Sequence, residues 1–382
     1  MRARSILAVL LLSFALACGG GSGSGGSTPT GNLTLRFGSD SFPGYDQAWV
    51  SVEKVEASTN GSTWMALGNV QASYDLMTLQ NGHSAVMLSN IAVPPATYTQ
   101  FRITWATQNY ANPINLAAYV VPTGASKGQP LSMPTTTVLP GSVTVTSGGS
   151  TTAQLMLSGQ QAIQQRAGVS PPYTFQATGQ AYDLAQAASI TGKLTDGTSP
   201  LVGAEVYAET VDGFGVATLL RRAFTDGTGS YLLECLPASA STAYFVVAQP
   251  GNATSAYPAQ VSAPVNVTAS PSPVNLAFSG AAQPGSLTLT LTPPSTSSQG
   301  TWGELRQGLS PAPGLSYQLI VRSQGAVTGA SQDQVYFTGL APSSYYGVTA
   351  QRSTSGATPT TVVYNGQLLV ASGATTPLTL SF

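Results

Sequence analysis

The chain is predicted to be all-β, a tandem of antiparallel β-sandwiches that follows a signal peptide and a flexible linker. Segment after segment alternates apolar and polar residues, the period of a half-buried strand. Gly (41) and Pro (26) are abundant, while charged residues make up only 7% of the chain, against roughly 25% in an ordinary soluble domain. That is the composition of short strands and many turns. The length, 382 residues, exceeds one ordinary core and at about 150 residues per domain suggests two or three.

The first element is not part of a sandwich. Arg2 and Arg4 precede an apolar run, Ile6 to Ala17, which is right for a signal peptide and short for a membrane span. Small Ala17 then precedes Cys18. This arrangement resembles the bacterial lipobox, although Ala15 stands where that pattern usually has Leu. The resemblance implies cleavage after residue 17 and lipid on Cys18, and several acyl chains hold a protein stably on a membrane. Residues 18–31 then form a Gly/Ser-rich tether, too polar to fold. Its Gly21, Gly23 and Gly26 spell G-x-G-x-x-G with no strand before them, an accident of composition. Gly19 after the cysteine leans towards release to the outer membrane of a Gram-negative cell. No later run is long and apolar enough for a helical span, so a water-soluble body is expected.

The first domain is expected over residues 32–188. NLTLRF (32–37), AWVSVEKVEAS (48–58), YTQFRITWA (98–106) and SVTVTS (142–147) read as strands, the second changing register through a bulge near Lys54. Asn60-Gly61 and Asn81-Gly82 supply turns tolerant of positive φ. One helix is expected at Gly159 to Ala167. LTLRFGSDSFPGYDQAWVSVEKVE, SYDLMTL, LSNIAVPPATYTQFRI and TFQATGQAYDL together resemble the bacterial family known as domain of unknown function 4382. That resemblance implies a secreted lipoprotein and brings no assigned activity.

The second domain is expected over residues 189–280. Pro200, Leu201, Gly203 and Ala204, followed by Thr225, Asp226, Gly229 and Tyr231, resemble the carboxypeptidase regulatory-like domain, a small prealbumin-type sandwich. Carbohydrate-binding modules use the same fold, and fold alone does not carry function across. The third domain, residues 284–382, opens with LTLTLTPP and closes with PLTLSF. The sandwiches are accordingly read as immunoglobulin- or prealbumin-like. In each a Pro-containing corner leads into a tyrosine that opens a strand: Tyr98, Tyr244, and Tyr345 or Tyr346. Three related sandwiches in a row are the simplest expectation.

Little chemistry is visible. His83 is the one histidine, follows a turn, and reads as a solvated loop residue, so triads that need it have no support. Once Cys18 carries lipid only Cys235 remains, which reads as a buried small apolar residue and leaves no zinc ligand set. Several acids stand in Asp-Gly turns (Asp196, Asp212, Asp226), a hairpin signal, with calcium as the lesser alternative. Asp40 and Asp46 could line a ligand site or cap turns. Trp64, Trp302 and Tyr110 adjoin loops and are the candidate sugar-stacking aromatics, whereas Trp49 and Trp105 lie within alternating strands and read as core.

With 13 Lys+Arg against 14 Asp+Glu there is no basic footprint, so nucleic acid is not an expected partner. The expectation is a non-enzymatic binding or adhesion module without cofactor or metal, held to the membrane by its N-terminal lipid and facing a glycan or an envelope protein. The alternative is an accessory structural lipoprotein of an envelope complex with no free ligand. A hydrolase using two carboxylates is the third and weakest reading.

Overall fold

The computed structural model describes residues 29–41, 43–109, 116–159, 162–176, 178–268, 272–296, 299–354 and 358–382. Cys18 with its leader and tether, and Tyr110, lie outside them. Apart from one turn of 3₁₀ helix at Leu76–Thr78, every regular element among the described residues is a strand.

The first core forms where alternation says it should. Leu33, Leu35 and Phe37 of strand Gly31–Ser39 point inward, against Val50 and Val52 of strand Tyr45–Ser58 and Phe101, Ile103 and Trp105 of strand Ala96–Trp105. Between Val52 and Lys54 the pairing register slips, so that Val55 and Ala57 continue the buried set on the other parity. The bulge expected at Lys54 is therefore what keeps a 14-residue strand on one core. Strand Thr136–Val145 pairs with Ala96–Trp105 in one sheet and with Thr178–Asp183 in the other, closing the sandwich at that corner.

In the second and third units the layers stack. Strands Glu205–Val211, Ala217–Phe224 and Ser239–Ala248 form a sheet buried on both faces. Val206, Ala208, Val246 and Ala248 enter one core with Ile190 and Leu233, while Tyr207, Phe245 and Val247 enter another with Leu289, Leu319 and Val348. Burial on both faces is why AYFVVA (243–248) is a continuous apolar run rather than an alternation.

The units touch one another: Asp40 faces Arg221, Ile163–Arg166 pairs with Val327–Thr328, and Glu209 accepts from Ile320 N. The helix expected at Gly159 to Ala167 is a strand instead, Ile163–Arg166. Its Gln-rich composition suits a helix, but its backbone pairs antiparallel with Tyr173–Phe175 and parallel with Val327–Thr328 of the third unit. Tertiary pairing overrides local preference here. Gln164 reinforces the seam by exchanging hydrogen bonds with the Thr301 backbone, both 3.3 Å.

Three tyrosines hold three corners. The Tyr98 hydroxyl donates to the Pro94 carbonyl (2.8 Å), Tyr244 to Pro237 (2.5 Å) and Tyr346 to Ala341 (3.1 Å). Each reaches back a few residues to a carbonyl at the turn, a tyrosine corner. Of the adjacent pair, Tyr346 is the buried corner residue and Tyr345 faces solvent.

The sparse charges gather where units meet. Strand Tyr317–Gly325 is a sheet edge whose open backbone groups are met by the second unit: Glu209 accepts from Ile320 N (3.0 Å), Tyr207 Oη from Ser323 N (3.3 Å), and Arg222 donates to the Ser323 carbonyl. Covering an edge in this way removes a site for unwanted strand addition. Glu209 is fully buried with Oε1 unpartnered, and Arg306 and Glu304 face it. Burial pushes its carboxyl up to about 8, against the smaller downward pull of the Ile320 N–H and Arg306. Because the folded value lies above the ordinary 4.5, this contribution is full at acid pH and is lost as pH rises through about 8. Glu209→Gln is therefore expected to remove a loss of about 2–3 kcal/mol between about pH 6 and pH 9, read as denaturant stability of variant against wild type at both. Equal pH dependence of the two proteins would contradict it.

Candidate functional site

Most residues singled out in the sequence turn out to serve the fold. Trp302 is corrected: it lies inside strand Gln299–Leu309, between Gly325 and Gln351 on the flanking strands, and is 3% exposed. The Gly-rich context that suggested a loop is a strand paired on both edges. Trp64 is half-buried, and one ring face is taken by the Arg102 guanidinium 4.3 Å from its centre. Arg102 is itself held by Glu56 at 2.8 Å. Trp105 is core, and Trp49 is half-buried and stacks on Tyr119.

Asp40 is buried rather than presented to a ligand. Its carboxylate lies 3.9 Å from Arg221, across the junction of the first and second units. Burial pushes it up to about 6, opposed by Arg221 and Arg222. Asp46 is exposed and accepts from the Gly124 N–H (3.2 Å), a turn contact. Asp212 and Asp226 likewise direct Oδ1 at backbone N–H groups of their own turns, Phe214 and Val216 for the first, Thr228 and Ser230 for the second. His83 is exposed at the Asn81-Gly82 turn. Cys235 is buried beside Met156 and Tyr182, and burial pushes its thiol up to about 12. A thiol so placed is a small apolar group, not a nucleophile.

The surface offers a different site. A groove of about 560 Å³ opens at the edge of the third unit, with Tyr345, Gln307, Gln318 and Gln367 around a floor of Gly308 and Gly347, and Pro258 and Ala259 of the second unit beside them. A second cleft, of about 170 Å³, lies beside Tyr45 and Tyr173. The groove's geometry follows from the local sequence. In SSYYGV, Tyr346 is drawn inward by its hydroxyl bond to Ala341, so strand alternation turns Tyr345 outward, 58% exposed. Gln307 anchors that strand by donating from Nε2 to the Tyr345 carbonyl (3.4 Å). A Cβ at Gly347 would meet nothing closer than 3.8 Å. The glycine there relieves no clash; it leaves the floor open.

The lining is uncharged: among its residues only the Tyr345 phenol is titratable. An aromatic face beside three primary amides and the Ser344 hydroxyl can stack on apolar C–H faces while exchanging hydrogen bonds with hydroxyls. Sequence reading named Tyr345 only as one of two corner tyrosines. The doubled tyrosine was the available signal, since on a sheet with one buried face alternation turns one of two neighbours outward.

No curated protein matches the chain. Among solved structures, the Bacillus anthracis TIE protein overlaps 92% of this chain at 9% identity with a TM-score of 0.21, and the chain spans about half (51%) of that protein. GBS52, the minor pilin of Streptococcus agalactiae, overlaps 50% of this chain and 94% of its own at 14% identity and a TM-score of 0.17. Likenesses at this level carry no functional argument. Residues 30–178, which build most of the first sandwich, match the family model described as a domain of unknown function (DUF4382).

Proposed function

We propose that this chain is a non-enzymatic binding module of a bacterial cell envelope, anchored by lipid on Cys18, whose groove at Tyr345 takes an uncharged, hydroxyl-rich ligand of the glycan class. The observation that carries the reading is the pairing of an outward aromatic ring with amides over a glycine floor that holds no charge. A charged ligand would find no counter-ion there, and desolvating it without one is costly. The anchor is supported by the leader ahead of Cys18 and the Gly/Ser tether behind it. Gly19 after the cysteine favours release to the outer membrane. Cys18→Ala is expected to abolish incorporation of labelled palmitate, and labelled mutant protein would sink the anchor.

The ligand class is tested by retention of the purified full chain on immobilised dextran, mannan and xylan. Tyr345→Ala is expected to weaken retention at least about tenfold while unfolding at the wild-type denaturant midpoint, because the side chain is exposed. Trp64→Ala is expected to bind as wild type. Loss of binding with Trp64→Ala alone would move the site to the first unit. No retention of any of these polymers would favour the accessory lipoprotein with an envelope protein as its partner.

A further inference from the structure

Resting on that reading, the geometry points to a ligand that is a linear neutral polysaccharide lying across the strands, gripped at one end by Tyr345 and at the other by Phe214. Four backbone pairings define the track. Val216 bridges Gln318, Gln318 pairs with Gly308, and Tyr345 pairs with Leu369. The antiparallel register that sets Arg306 opposite Gly347 brings Gly308 beside Tyr345. Val216, Gln318, Gly308, Tyr345 and Leu369 thus form one cross-strand row, and residues sharing a row project from the same face. Four interstrand steps of about 4.8 Å make it about 19 Å long.

Every member of this row is exposed: Val216 51%, Tyr345 58% and Leu369 48%, with Gln318 and Gly308 in the same class. Scattered apolar side chains on a surface need no explanation, but several in one line do. Phe214, 94% exposed, stands two residues from Val216 at the tip of its hairpin. It is not on a loose loop. Asp212 Oδ1 accepts from both Phe214 N and Val216 N (2.9 Å each), Asp212 N donates to Val216 O, and Gly215 takes the positive φ (+81°) that closes the turn. The ring is held out in water by a turn already formed, so binding has little backbone ordering to offset.

A single sugar ring would meet only Tyr345 and its neighbouring amides. A chain would continue over the Gly308 gap, past Gln318, to Val216 and Phe214. The row itself offers two apolar ends and a polar middle without a charged side chain, the bordering Asp212 carboxylate being engaged by its own turn and Arg306 by Glu304, which suits a polymer that alternates C–H faces with hydroxyls.

The test is calorimetric titration of the full chain with oligosaccharides, from disaccharide to octasaccharide, cut from whichever of dextran, mannan or xylan is retained. Affinity is expected to rise at least about tenfold with length and then level off. Phe214→Ala is expected to abolish that rise while leaving disaccharide binding intact, and Phe214→Trp to restore it. Tyr345→Ala is expected to weaken binding at every length. Affinity independent of length, or a Phe214→Ala variant that keeps the rise, would overturn the track and leave the Tyr345 site standing. Binding of no polymer would overturn both. Concentration-dependent dimerisation removed by Phe214→Ala, without glycan binding, would make this face a contact between copies and likewise overturn the proposal.

Discussion

Asp333→Ala is expected to destabilise the protein by about 3–5 kcal/mol, the usual loss when one partner of a buried ion pair is removed. Asp333 is fully buried. Its two oxygens accept from Ser295 N (3.1 and 3.0 Å), and Oδ2 lies 2.9 Å from Arg352 Nη2. Arg352 also donates to the Pro293 carbonyl (2.7 Å) and to Thr301 Oγ1 (3.1 Å), with its guanidinium over the Phe382 ring. Removing the carboxylate leaves the buried Arg352 cation without its counter-charge and the Ser295 N–H without its acceptor. The effect should reach the first unit, because Arg166 donates to the Ser295 and Thr296 carbonyls of the same segment. Asp333→Asn keeps an acceptor and the shape and is expected to lose roughly half as much. Equilibrium denaturation of both variants measures this. A loss under about 1 kcal/mol for the alanine variant would mean that the pair does not hold this segment.

Trp302→Ala is expected to cost about 3–5 kcal/mol, the range for deleting a large aromatic from a packed interior. It is expected to leave ligand affinity unchanged at temperatures where the variant is folded. The two effects separate a core residue from a binding residue. Its ring is closed off from solvent in strand Gln299–Leu309, one residue from the Gln164–Thr301 seam, so truncation leaves a cavity in the interior. A stable variant that loses binding would return Trp302 to the ligand site.

These two residues also mark how far the sequence could be read. Alternation was sufficient for the strands of the first sandwich, and the parity change in VSVEKVEA was sufficient for the bulge at Lys54, because both are local patterns imposed by one buried face. The corner tyrosines were legible for the same reason. What failed was non-local. Ile163–Arg166 is a strand because of partners at 173–175 and 327–328. Trp302 lies in a strand because partners at 317–325 and 345–354 pair along both its edges. Asp40 is buried because Arg221 arrives from the second unit. The groove was illegible for a further reason: its row joins residues from 216 to 369 through sheet register, which no short window carries. Low charge overall was visible, but not that many of those charges would be buried at junctions.

The central claim is that ligand sits on the third unit at Tyr345, and hydrogen–deuterium exchange of the full chain, with and without the retained polysaccharide, tests it most directly. Slower exchange is expected in the segments carrying Gln307–Gly308, Gln318, Tyr345–Gly347 and Gln367–Leu369, with the Asn60–Trp64 turn unchanged. Protection confined to the Asn60–Trp64 turn, with none around Tyr345, would contradict it.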